Sequence, residues 1–380
     1  MIYLDHAATT PLDKEILDVA LPYLTDCFGN ADSPHAHGRK AMGAVDTARD
    51  TLAELLGAKP NEVYFTSGGT ESDNWALIGG ARAMKEQGRD RVIVSAIEHH
   101  AVLAAAELLQ KEGFAVDYLP VNGRGRVETN ALERLISDKT AIVAVMAVNN
   151  ETGVAQPIRE LAEIAHRAGA LFFTDAVQAA PHIPLNVKEL GVDMLALSSH
   201  KFYGPKGCGG LYIKGGVKVK PLIVGGEQER GLRGGTTNVA AVVGMAAAYR
   251  KTVATVSQTS EKMQALRAAF LDGLAGLDGV HIYGGNLDGG DIPAVLSLRI
   301  EGVTGVDLVY KLDLCGVSIS AGAACASASV KPSHVLMAMG LTETQARECV
   351  RVSFGKGNTE QEVKKAAALI KEIAETLRKN

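Results

Sequence analysis

Lys201 stands just past the end of an apolar run. Met194-Leu-Ala-Leu197 reads as a buried strand, Ser198-Ser-His-Lys201 follows it, and Gly204-Pro205 then breaks the chain. Strand ends are where alternating strand–helix folds keep their chemistry. A lysine partly shielded there can lose its proton and bond a carbonyl carbon, though a solvated loop lysine is the plainer alternative. Thr66-Ser-Gly-Gly-Thr-Glu-Ser-Asp-Asn74 joins another strand to a helix running toward Met84. Its glycines permit a tight turn, and its next amides, with Thr70 as N-cap, would face an anion such as a phosphate. Asp175 ends the apolar run Leu171-Phe-Phe-Thr174, as a helix cap or an active-site acid, and Gln178 reaches the same region. Asn149-Asn-Glu-Thr-Gly153 also ends a strand, and Asn149 reads as a turn former.

Glu98-His99-His100 follows a strand, so one histidine could lie flat on a planar cofactor or shuttle protons; solvated histidines at a helix start are the alternative. Ser320-Ala-Gly-Ala-Ala-Cys-Ala-Ser-Ala-Ser329 surrounds Cys325 with small residues, which suits a thiol nucleophile on an exposed loop better than a packed core cysteine. The other cysteines, Cys27, Cys208, Cys315 and Cys349, read as structural. Arg351 alternates with apolar residues in Val350-Arg-Val-Ser-Phe354, as a surface charge or a clamp for a carboxylate. A lysine, a phosphate cradle and a strand-end carboxylate, met in this chain, are what a lysine-bound pyridoxal phosphate needs.

The elements that must position these groups alternate. Strands are expected at Val63–Thr66, Arg91–Ser95, Ala115–Leu119, Ala141–Val148, Leu171–Thr174, Met194–Ser198 and Gly210–Ile213. Helices lie between most of them, after an N-terminal helix at Asp13–Leu24 and one ending at Gly57. That pattern is α/β, a mostly parallel doubly wound sheet. A long helix from Tyr249 to about Leu277 leads to shorter strands (Ala294–Ile300, Val317–Ser320, Cys349–Phe354) and a last helix, Thr359–Lys379. The expected division is a large cofactor-binding domain over residues 15–255, with residues 1–14 and 256–380 forming a smaller α+β domain that carries the Cys325 loop.

Bulk properties exclude several classes. The 380 residues suffice for two domains, and a net charge of −4 gives no reason to expect nucleic acid or an anionic membrane as partner. The N-terminus lacks a basic region followed by an apolar one, and no apolar run is read as long enough to span a bilayer. Five dispersed cysteines without C-x-x-C spacing argue against a disulfide framework or a zinc site and fit a reducing cytoplasm.

With these residues assembled, the chain resembles the cysteine desulfurases, in the class V aminotransferase-like group of fold type I pyridoxal phosphate enzymes. The resemblance runs nearly end to end. It covers Tyr3-Leu-Asp-His-Ala-Ala-Thr-Thr-Pro11, Phe65–Asn74, Glu98-His99, Asn149–Gly153, Asp175-Ala-Val-Gln178, Ser198–Lys201 with Tyr203-Gly-Pro-Lys-Gly207, and Ala324-Cys-Ala-Ser327.

The resemblance implies roles. Lys201 corresponds to the lysine that bonds pyridoxal 5′-phosphate, Asp175 to the partner of the pyridine nitrogen, and His99 to the histidine stacked on the ring. Gln178 and Asn150 correspond to residues near the ring oxygen and substrate, and Gly69, Thr70, Ser198 and His200 to phosphate-binding positions. Thr236 matches a threonine given by the other subunit of a homodimer, Arg351 the clamp for the substrate carboxylate, and Cys325 the cysteine that takes up sulfur. The implied reaction converts L-cysteine to L-alanine and a persulfide on Cys325. The sulfur then passes to an iron–sulfur scaffold or a tRNA-thiolation protein, and Cys325 is a candidate shared iron–sulfur ligand; no other metal site is expected. Rival expectations are a selenocysteine lyase or aminotransferase on the same fold, and a degenerate binding protein. Cys325 argues against the aminotransferase, and the intact Lys201, Asp175 and His99 against the binding protein.

Overall fold

The structure, a computed structural model, describes residues 1–285, 287–321 and 331–379. Twelve strands appear among them in chain order: β1 (Ile2–Tyr3), β2 (Val63–Thr66), β3 (Arg91–Ser95), β4 (Ala115–Leu119), β5 (Thr140–Ala144), β6 (Leu171–Asp175), β7 (Met194–Ser198), β8 (Gly209–Ile213), β9 (Val280–Tyr283), β10 (Val295–Ile300), β11 (Val317–Ser318) and β12 (Cys349–Ser353). A seven-stranded sheet runs β2-β8-β7-β6-β5-β3-β4. Its pairs from β7 to β4 are parallel, while β8 lies antiparallel to both β7 and β2. The chain is thus an α/β fold with a mostly parallel main sheet, and both faces of that sheet are covered, as its continuous apolar strands require.

A second apolar cluster gathers Leu4, Met263, Phe270, Leu298, Val352, Phe354 and Ile370 around the antiparallel sheet β12-β10-β9. The N-terminal residues belong to this cluster, because β1 pairs with β11 and Asp5 bridges to Ser353. From there the same segment crosses to the main sheet: Thr10 Oγ1 donates to the His200 carbonyl at 2.8 Å and accepts from the Tyr203 amide at 2.9 Å.

Several expectations need correction. The fifth strand ends at Ala144, after which Val145 and Ala147 bond β6 while Val148 turns to bridge Ala155. The N-terminal helix is broken at Leu21 by Pro22, which has no N–H to continue the ladder. The long helix starts ten residues early, at Val239, because Asn238 caps it by accepting from the Ala241 amide. This 35-residue helix, Val239–Gly273, is also long and apolar enough to cross a membrane, contrary to the sequence reading. Half of its apolar window is buried, and Met245, Tyr249 and Phe270 sit in the two cores.

Candidate active site

Interior strands β6 and β7 end side by side and deliver Asp175 and Ser198 to one cavity of about 330 Å3. Lys201 enters from the short helical turn Ser199–Lys201, and His99 from the cap of the helix His100–Lys111 that follows β3. Gly69, Thr70, Asn150, Gln178, His200 and Arg351 line the same space. The fold therefore brings together every expected cofactor and substrate residue among the described positions except Thr236. That residue borders a different pocket, with Phe65, Glu229 and Arg233. Cys325 lies outside the described residues.

Lys201 Nζ donates to the carbonyls of Ala7 and Ala8 at 2.5 and 2.9 Å. Burial first, and then the nearby Arg351 charge, lower its pKa to about 8. A nucleophilic amine needs this shift, since an ordinary lysine stays protonated at neutral pH. Asp175 is buried, and its Oδ1 accepts from the Val177 amide at 2.8 Å. Burial raises its carboxyl, opposed by that bond and by Lys201. His99 Nδ1 accepts from the Ala101 amide at 3.2 Å, which leaves the proton of the neutral ring on Nε2. Burial, then the Lys201 charge, lowers its pKa to about 4, so the ring is neutral at neutral pH.

The phosphate cradle differs from expectation at one position. Gly68 rather than Thr70 is the N-cap of the helix Gly69–Asn74, so Thr70 sits inside the first turn with its side chain lining the cavity. A side chain at position 69 would meet Val177 Cγ2 at 2.9 Å, and Gly68 has φ 154°. Glycine at both positions lets the turn pack closely against the ends of β6 and β7. His200 Nδ1 is 3.0 Å from Thr9 Oγ1.

Arg351 is buried on β12, where one terminal nitrogen donates to Asp5 Oδ1 at 2.8 Å and the other to the Asn150 carbonyl at 3.1 Å. Among the described residues its Nε has no partner. A substrate carboxylate can take that fork by displacing Asp5.

The sequence reading gave no role to Asp5, Asp73 or Glu98. Asp73 and Glu98 are buried carboxyls whose pKa values burial raises, to about 8 for Glu98. Glu98 Oε1 accepts from the Met146 amide at 2.7 Å and so ties β3's end to the cavity wall. Their signal was present: all three lie inside the motifs that carry the family resemblance. Cys315, read as structural, is exposed at the end of the helix Gly305–Leu314. Cys27, Cys208 and Cys349 are buried. Among the described residues no group of three or more metal-ligating side chains could hold a metal ion.

The class-V aminotransferase family model matches residues 2–366. A cysteine desulfurase IscS from Methanosarcina thermophila is 42% identical over 377 residues, covering 99% of this chain and 93% of the relative. The chain is a cysteine desulfurase of the class-V aminotransferase family. The IscS of Clostridium botulinum strain Hall is also 42% identical, over 95% of this chain and 91% of its own. Among solved structures, a NifS-like protein superposes with a TM-score of 0.92 at 37% identity, covering 99% of both chains. DndA from Streptomyces lividans gives 0.78 at 40% identity, over 92% of this chain and 99% of that one.

Proposed function

We propose that this desulfurase works with pyridoxal 5′-phosphate held in the 330 Å3 cavity, and that it stores the sulfur of L-cysteine on Cys325. The observation that carries the reading is the meeting of Lys201, Asp175, His99 and Arg351 around one space. The donor set fits the cofactor: a depressed lysine for its aldehyde, a buried carboxylate for its pyridine nitrogen, and Thr70, Ser198 and His200 for its phosphate. Gln178, whose Oε1 is buried without a partner among the described residues, would add a polar group beside the ring. When bound, the cofactor withdraws electrons from the substrate Cα.

The protein's residues supply the rest. Arg351 holds the substrate carboxylate beside Asn150, and Lys201 removes the Cα proton and returns it. The Cys325 thiolate attacks the substrate sulfur: an S–S bond forms, the Cβ–S bond breaks, and its electron pair stays on Cβ, which takes a proton. L-alanine and a persulfide result. His99 would stack on the ring and offer Nε2–H; its Nδ1 lone pair is committed to the Ala101 amide, which disfavours it as the base for the thiol.

The persulfide sulfur goes to an acceptor protein, an iron–sulfur scaffold or a tRNA-thiolation protein. The enzyme acts as a cytoplasmic homodimer in which Thr236 serves the partner's cavity; its absence from the lining of its own chain's cavity supports that arrangement. The chain divides into a large domain over 15–255 and a small one built from 1–14 and 256–380, a division supported by the separate apolar cluster around β12-β10-β9. Cys325→Ala is expected to keep the bound cofactor's absorbance and lose persulfide formation. Sulfide release from L-cysteine at the parental rate in that variant would contradict the assignment.

A further inference from the structure

A second cavity of about 20 Å3 adjoins the first and shares Ala7, Gln178 and Lys201 with it. His6, His182 and Tyr203 complete the part of its wall that matters here. Among the described residues, two polar atoms of this lining, His6 Nδ1 and Gln178 Oε1, are buried without a partner. Lys201 Nζ, as an ammonium, has three hydrogens and uses two on the Ala7 and Ala8 carbonyls. A water molecule needs about 10–15 Å3 of such space and two to four polar partners. This cavity meets both requirements.

Both histidines are half-buried and so link the cavity to the protein surface. Burial lowers each to about 4, which leaves both rings neutral at neutral pH; His6 also bonds the Tyr3 backbone and the Asn358 side chain, which leaves its unpartnered Nδ1 to offer a lone pair. Tyr203 holds the wall from a left-handed backbone, φ 65°, a conformation costly for a tyrosine and fixed by the bonds to Thr10 and Lys356.

We propose that this cavity seats one water molecule through which His6 exchanges protons between Lys201 and solvent, His6 acting as a positioning residue for the lysine's proton. The proposal rests on Lys201 being the group that takes the Cα proton. The transfers balance. Lys201, an ammonium after that step, gives a proton to the water, and the water gives one to His6 Nδ1. His6 then releases its Nε2 proton to solvent, and reversing the sequence resupplies the lysine.

The test runs the holoenzyme in D2O on protiated L-cysteine and reads the Cα hydrogen of the alanine by NMR. For the wild type the relay predicts nearly complete deuterium at Cα. His6→Phe fills the ring's space without a nitrogen. Its alanine is expected to retain substrate protium toward about one molecule in three, the share of one hydrogen among the three of the ammonium. Its kcat should fall several-fold with a larger solvent isotope effect, while the cofactor absorbance and the persulfide yield on Cys325 stay unchanged. His6→Gln, able to hold the water by hydrogen bonds, should keep more deuterium than His6→Phe. Wild-type alanine retaining protium, or His6→Phe alanine as deuterated as the wild type's, would overturn the relay. The underlying reading fails separately, if Lys201→Ala still exchanges the Cα hydrogen.

Discussion

The two walls of the cavity are held in different ways. Asp175 and Ser198 end interior strands hydrogen-bonded on both sides, and His99 caps a helix, so their positions follow from backbone pairing and burial. Arg351 faces them from β12 of the other sheet, and its side chain is held there by an ion pair with Asp5 and a hydrogen bond to the Asn150 carbonyl. The first wall is set before any ligand arrives. The second holds a contact that, on the proposed reading, a substrate carboxylate would replace with a similar one. Preorganised groups serve the chemical step, while an exchangeable pair serves arrival and departure of substrate.

Substitutions on the two walls should have different kinetic signatures. Lys201→Ala, on the preorganised wall, should lower turnover by about 10^2–10^4, the usual worth of a positioned acid–base group, and abolish the absorbance of the lysine-bound cofactor. Arg351→Lys loses the two-pronged geometry but keeps the charge. Its KM for L-cysteine should rise about 10–150-fold, matching about 1.5–3 kcal/mol for a charge-assisted bond, with kcat changed less. Asp5→Asn should lower KM a few-fold, because Arg351 is released to the substrate. The same change should cost about 1 kcal/mol of folding stability, read by thermal unfolding of the cofactor-free protein. A rise in KM would mean that Asp5 orients Arg351 rather than competing for it.

The smallest expected effect concerns acid stability. His99 has its folded pKa lowered from 6.5 to about 4, so between those values the unfolded chain binds a proton that the folded chain refuses. Stability attributable to His99 therefore falls as pH drops from about 6.5 to about 4. Glu98, raised to about 8, acts in the opposite sense as pH rises from 4.5, but it is common to wild type and variant and cancels in their difference. Unfolding midpoints of cofactor-free His99→Asn should fall less steeply across that window than those of the wild type. Parallel curves would show that the ring is not desolvated as the fold suggests.

The same contrast explains what was legible in the sequence. β7, Met194–Ser198, and β3, Arg91–Ser95, have the boundaries expected from their apolar runs, because buried parallel strands must be apolar throughout. Lys201, Asp175 and His99 follow such strands directly, so position along the chain was enough to group them. The Arg351 wall depends on contacts far apart in sequence. Nothing local marks Asp5 as the partner of a residue 346 positions away, or the Ala7 and Ala8 carbonyls as the rest for Lys201. Asp73 and Glu98 carry no local mark of burial, because acidic residues near a helix start ordinarily face solvent, and the packed fold buries them. The start of Val239–Gly273 was missed for a similar reason: the Asn238 side chain supplies the cap, beside threonines and glycines that read as loop.

The proposed reaction moves sulfur from L-cysteine to Cys325. The most direct measurement adds one equivalent of L-cysteine to the cofactor-loaded enzyme, then reads the mass of the Cys325 peptide and the alanine formed. Sulfur transfer to Cys325 should show as a gain of one sulfur atom on that peptide in step with alanine. Alanine with an unmodified Cys325 peptide, or with the sulfur on another cysteine, would contradict it.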